Sequence, residues 1–294
     1  MEKYNYSIII PHYNIPNLLK RLISTLPQRD DVQVIVVDDC SNAYLEEYEI
    51  LKKENTWIEW YSTGINGGGG KARNIGLKYA KGEFVIFADA DDFFLPNLND
   101  ILNSYKNNNK YDLIFFNSIS VDSDSLNIGI RGKNWNNLNN REIIPYLKFM
   151  FGEPWCKLIK LSLIRENKIE FDELPIHNDT CFSYMVGYHA KKPLLDSHAI
   201  YCVTERKGSV SKEITKDNLK IRTEVFLKKN KFLKDNGIKL YDSLLFSGLT
   251  KNIDKGFLKE IFILLRKYDV KKSDFIFRYL LFLLKQIINK ISAK

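Results

Sequence analysis

A chain of 294 residues, 45% apolar and 13% aromatic, has material for a sizeable core, which excludes a disordered chain and leaves one large domain with an appendage or two smaller ones. Its formal charge of +8 favours anionic partners such as nucleotides, nucleic acid or lipid headgroups, without choosing among them. Cys40, Cys156, Cys181 and Cys202 lie far apart and form no CxxC, which excludes a zinc ribbon or a dense disulfide framework and fits a reducing cytoplasm.

The polar start, Met1 to Tyr6, runs at once into a strand and leaves no room for a signal peptide, so the expected location is the cytoplasm. Ser7–Ile10 reads as a buried strand, Asn17–Leu26 as a helix, Val32–Val37 as a second strand and Tyr44–Lys53 as a second helix. Trp57–Tyr61, Gly70–Ala80 and Glu83–Ala88 add a strand, a helix and a strand. Strands alternating with helices predict an α/β fold whose mostly parallel sheet is covered on both faces. Ligands of such sheets sit beyond the carboxyl ends of the strands. Three polar clusters fall there: Pro11-His12-Tyr13-Asn14, Asp38-Asp39-Cys40-Ser41 and Asp89-Ala90-Asp91-Asp92.

The last cluster follows the apolar run Phe84–Ala88 and places three carboxylates within four residues. Charges so close repel one another unless a hard cation or a managed proton accompanies them. Helix capping is the alternative, since Asp and Ser accept from free helix N–H groups, but capping needs only one carboxylate. Gly67-Gly68-Gly69-Gly70-Lys71 is not a P-loop, because Ile65 and Ala72 occupy the places of its first Gly and its Ser or Thr. Such a glycine run before a helix still permits close backbone approach to a ligand, and Arg73 stands in the first turn.

Four segments, Ser7 to Asn14, Val34 to Ser41, Ala72-Arg73-Asn74-Ile75-Gly76 and Phe87 to Asp92, in this order and spacing, resemble the family 2 glycosyltransferases. The likeness is close over residues 6–97, looser to about 212, and then lapses. It implies an A-type glycosyltransferase fold with a Rossmann-like sheet, inverting transfer from a nucleotide-sugar, and a bacterial surface-polysaccharide type of enzyme. The implied organisation is a catalytic domain over 1–212, with a nucleotide-sugar half (1–117) and an acceptor half (118–212), followed by a helical extension over 213–294.

By the same resemblance Pro11 and Tyr13 border the nucleobase, Asp39 hydrogen-bonds it, and Arg73 belongs to the donor site. Asp89-Ala90-Asp91 matches the family's DxD motif, with Asp89 near ribose and metal and Asp91 the more direct ligand of Mn²⁺ or Mg²⁺. Asp92 is left between capping a helix and touching the acceptor sugar. Family habit makes UDP the expected nucleotide, with a hexose or N-acetylhexosamine, and the acceptor a hydroxyl of a glycan or lipid-linked oligosaccharide.

In the second half, Pro154 to Leu158, Phe171 and then His177-Asn178-Asp179-Thr180-Cys181-Phe182 resemble the family's acceptor-side segment. Asn178 stands where the family carries Glu; Asp179 retains the position of the general base. An N-cap for the following helix is the plainer role for Asp179, and His177 is a rival base. Arg206 and Lys207, after the apolar strand His198–Val203, match the segment that closes over the diphosphate, or form an ordinary basic turn. Trp155 reads as a sugar platform or a core residue, and His198 is a weaker metal candidate.

Residues 275–291 are strongly apolar but interrupted by Arg278, Lys285 and Lys290, which argues against a membrane span. Peripheral membrane contact and packing on the chain's own core or a partner are both expected uses of such a helix. A nucleic-acid partner is not expected, because the carboxylate crevice repels phosphates that bring no metal. A nucleotidyltransferase or an idle nucleotide-binding scaffold is the remaining alternative. The oligomeric state is not legible.

Overall fold

The computed structural model describes residues 4–135, 140–206, 215–246 and 255–292. The chain divides into two compact units, Met1–Ser209 and Val210–Lys294.

The first unit is a sheet of eight strands covered by helices. Its opening half runs β1 (Tyr6–His12), α1 (Pro16–Ile23), β2 (Val32–Asp38), α2 (Leu45–Glu54), β3 (Glu59–Ser62), α3 (Gly68–Tyr79) and β4 (Phe84–Phe87). Then follow β5 (Phe93–Phe94), α4 (Leu98–Tyr105), β6 (Leu113–Asp122), α5 (Asn140–Met150), β7 (Lys157–Lys160), α6 (Leu161–Glu166), α7 (Asn178–His189) and β8 (Pro193–Glu205). The strand order is β3-β2-β1-β4-β7-β6-β8-β5.

The centre is parallel for a reason visible in the residues. In β2 and β4 every residue is buried, and in β1 only Pro11 escapes full burial, so both faces must be covered by helices. β1 pairs in parallel with β2 and β4, and β2 with β3. The departure from the expected pattern is β7, which lies antiparallel between β4 and β6, while the short β5 pairs antiparallel with β8. Two glycines serve α3. Gly68 has φ +82°, which a side chain would disfavour, and a Cβ on Gly70 would strike the carbonyl oxygen of Asp172.

The second unit contains α8 (Lys216–Asp235), a 3₁₀ turn (Ser243–Phe246), α9 (Lys255–Lys267) and α10 (Lys272–Ser292). Thr215 caps α8 by accepting from the Asn218 N–H at 3.1 Å. Leu219, Phe226, Phe246, Ile261, Leu265 and Phe275 form its core, and Lys229 and Asp242 make a buried ion pair at 2.6 Å. On α10, Ile276, Phe277, Leu280 and Leu281 are exposed. No helix among the described residues is long and apolar enough to cross a membrane. Charge is segregated in the sequence: residues 210–294 hold 20 Lys and Arg against 9 Asp and Glu, whereas residues 1–209 hold 24 against 27.

Candidate functional site

The site forms at the carboxyl ends of β1, β2 and β4. His12 and Asp38 close adjacent strand ends with a 2.8 Å contact between Nδ1 and Oδ1, and His12 Nε2 accepts the Ile15 N–H at 3.2 Å. That pattern fixes the proton on Nδ1, so His12 is a structural brace. Burial pushes the Asp38 carboxyl up, but hydrogen bonds from His12 and Ser41 outweigh it and hold the group below its usual value. Asp39 accepts from the N–H groups of Gly67 (2.9 Å) and Gly68 (2.6 Å), which pins the glycine run beneath α3. Each of its oxygens retains a lone pair for a further donor. Beside it, Pro11 is partly exposed and Tyr13 is 43% exposed.

Arg73, buried in the first half of α3, ties this floor to the acceptor side. Its guanidinium donates to Asp89 at 2.5 Å and to the Asn178 side-chain oxygen at 3.0 Å, and its plane lies over the Phe171 ring. Asn178 opens α7, and Asp179 follows in the first helical turn. Desolvation pushes the Asp179 carboxyl up to about 6; Arg73 opposes this, while Glu153 and Asp89 add to it. Asp179 nonetheless keeps part of its surface open. A carboxylate with raised proton affinity that is still partly open to solvent suits proton abstraction near neutral pH.

The other two carboxylates part company. Asp91 meets Arg206 at 3.1 Å, and its carboxyl is raised by burial and by Asp89, an effect Arg206 only partly offsets. Asp92 turns inward: only 3% of it is exposed, and Oδ1 accepts the Thr204 N–H at 2.7 Å. It therefore neither caps the following helix nor faces an acceptor. The Asp91 carbonyl receives Arg21 and the Thr204 hydroxyl, both at 2.6 Å, and the Asp92 N–H closes a turn on the Asp89 carbonyl at 3.0 Å.

These positions bear on a metal. Each carboxylate of the Asp89–Asp91 pair already holds a guanidinium, so the pair is arranged to accept positive charge. Among the described residues no cluster of three or more His, Cys, Asp or Glu side chains could hold an ion alone. Two carboxylates fit a hard cation that brings its remaining oxygens from phosphate and water.

Other expected residues lie elsewhere. Trp155 is a core residue, stacked on Tyr201 and edge-on to Phe151, and is no sugar platform. His198 is exposed and paired with Asp196, away from any carboxylate cluster among the described residues. His177 precedes α7 with φ 55°. Lys207 lies outside the described residues. Sequence reasoning missed Arg21, Tyr201 and Thr204 as parts of the site. For Tyr201 a signal existed, because a tyrosine inside an apolar strand must find a partner for its hydroxyl.

A family model described as Glycosyl transferase family 2 matches residues 7–188. The poly(ribitol-phosphate) beta-N-acetylglucosaminyltransferase TarS of Staphylococcus aureus is 27% identical over 218 residues, 69% of this chain and 36% of that protein. The cholesterol galactosyltransferase of Borreliella burgdorferi is 28% identical over 249 residues, 78% of this chain and 69% of that one. The chain thus spans little more than a third of the length of TarS. The crystal structure of S. aureus TarS 1-349 in complex with UDP-GlcNAc superposes with a TM-score of 0.68 at 22% identity, covering 90% of this chain and 80% of that one. At that identity the likeness is one of fold. A mannosyltransferase from Pyrobaculum calidifontis in complex with GDP-Man and Mn²⁺ superposes with a TM-score of 0.54 at 13% identity, covering 91% of this chain and 75% of that one.

Proposed function

The chain belongs to glycosyl transferase family 2, and from that premise we propose that it moves a hexose or N-acetylhexosamine from a UDP-sugar to a hydroxyl of a surface glycan or its lipid-linked precursor. The observation that carries this reading is the Arg73 guanidinium, which joins Asp89 to Asn178 and so ties the carboxylate pair to the helical turn bearing Asp179. Donor and base ends then belong to one site on the first unit.

Pro11 and Tyr13 flank the base, and Asp39 accepts a base N–H with the lone pairs its glycine contacts leave over. Asp179 takes the acceptor proton while that oxygen attacks the anomeric carbon from the face opposite the diphosphate. The new C–O bond forms as the bond to the diphosphate breaks, the electron pair leaves with phosphate oxygen, and the configuration inverts. Asp89 and Asp91 would hold Mn²⁺ or Mg²⁺. Such an ion, when bound, offsets the charge that develops on the leaving diphosphate. Arg206 adds positive charge on the same side, and Lys207 is proposed as its companion from the sequence alone.

Release of nucleoside diphosphate from a panel of UDP-hexoses and UDP-N-acetylhexosamines, with Mn²⁺, Mg²⁺ or EDTA, tests the reading. At least one donor is expected to be turned over, at least about tenfold slower in EDTA. Turnover indifferent to EDTA overturns the metal assignment, and binding without turnover returns the scaffold reading.

The reading extends to a place of action, the inner face of the plasma membrane. The cation excess of residues 210–294 and the exposed Ile276, Phe277, Leu280 and Leu281 of α10 support it. The full chain is expected to sediment with phosphatidylglycerol vesicles, and at least about tenfold less when Phe277 and Leu280 are both changed to Asp. Equal sedimentation of both proteins removes this part of the reading.

A further inference from the structure

Tyr201 lies in the middle of β8 and is fully buried. Its hydroxyl oxygen accepts the Asp89 backbone N–H at 2.8 Å, so its own hydrogen must go elsewhere. An acidic group beside it is the Asp92 carboxylate. Asp92 in turn is fixed by the Thr204 N–H, and Thr204 Oγ1 holds the Asp91 carbonyl. Apart from Arg21, which donates to the Asp91 carbonyl and to Thr204 Oγ1, the groups joined here belong either to β8 or to the turn 89–92. The Tyr201 ring is clamped between Trp155, with centroids 5.7 Å apart, and Phe94 at 5.2 Å, which leaves the hydroxyl little freedom to move.

We propose that Tyr201 and Asp92 are positioning residues: a buried hydroxyl–carboxylate anchor that locks the 89–92 turn onto β8 and so aims Asp89 and Asp91 at one ion. This assigns the third carboxylate of the cluster, which neither binds the ion nor meets the acceptor. It rests on the metal reading given above. Its physical basis is that a two-carboxylate site has no third protein ligand to correct a misdirected one. The direction of each side chain is then set by the backbone that carries it.

Mn²⁺ uptake by the full chain in the presence of UDP, followed by titration calorimetry or by the Mn²⁺ spin-resonance signal, tests the anchor apart from turnover. Tyr201→Phe is expected to weaken Mn²⁺ uptake about tenfold, Asp92→Asn to do the same, and the double variant to be no weaker than the worse single one. Binding of UDP without metal is expected to stay native. Thr204→Val, which removes the hydroxyl that donates to the Asp91 carbonyl and accepts from Arg21, repeats the test without touching the ring packing and is expected to shift uptake in the same direction. Native uptake in Tyr201→Phe and Thr204→Val overturns the anchor, as does strict additivity in the double variant. Abolished uptake in Asp92→Asn beside native uptake in Tyr201→Phe makes Asp92 a ligand and also overturns it. Failure of the unaltered protein to take up Mn²⁺ overturns the metal assignment itself, and the anchor with it.

Discussion

Asp179→Asn is expected to lower sugar transfer by about a thousandfold while leaving UDP-sugar affinity within about threefold of native. The amide keeps the shape of the first turn of α7 but cannot take a proton. Because desolvation places the carboxyl near 6, the native rate is expected to rise about tenfold per pH unit below that value and level off above it. The same shift bears on stability with a definite sign. The folded carboxyl holds its proton more tightly than the unfolded one, whose ordinary value is 3.8, so the native fold loses stability as pH rises from about 4 to about 6. Asparagine removes that loss. Since Asp179 keeps some contact with solvent, the variant is expected to gain roughly 1–2 kcal/mol at pH 8 and little at pH 4. A variant that retains more than a tenth of native transfer shows that another group is the base. Unchanged melting temperatures at both pH values remove the desolvation account.

Asp91→Asn is expected to abolish stimulation by Mn²⁺ and to cost about a hundred- to a ten-thousandfold in transfer. Asparagine presents one neutral oxygen where a carboxylate stood, and it also removes the ionic contact between Asp91 and Arg206. Transfer measured across a Mn²⁺ series separates the two effects. Loss of the Arg206 contact alone alters donor affinity but preserves the response to metal, whereas loss of a ligand flattens that response. A native Mn²⁺ response in this variant would falsify the ligand assignment. Arg206→Gln is the companion measurement, and a weaker donor affinity with retained Mn²⁺ dependence is the expected result.

β1, β2 and β4 were legible because strands buried on both faces write themselves as unbroken apolar runs: Ile8–Ile10 and Val34–Val37 are examples. β5, two residues long, and β7, antiparallel in an otherwise parallel neighbourhood, carried no such mark. Within the site, the residue types of 89–92 were readable and their directions were not. What turns Asp92 inward is the Thr204 N–H, more than a hundred residues away in the chain, and no local pattern encodes that. Trp155 failed as a platform for the same reason, since its partners Phe151 and Tyr201 arrive from opposite sides along the sequence. Asp179 was visible by position, but its proton affinity depends on Arg73, Glu153 and Asp89, which only folding gathers around it.

The guanidinium groups on Asp89 and Asp91 change what it means to load this site. An empty pair of bare carboxylates would draw in any passing cation. On the proposed reading a divalent ion that enters here competes with a resident guanidinium for each carboxylate, and the phosphates that arrive with it offer those arginines a second anion. Loading becomes an exchange of partners with little change in net charge. Ion and nucleotide are accordingly expected to enter together, with a free protein that takes up Mn²⁺ weakly until the diphosphate arrives.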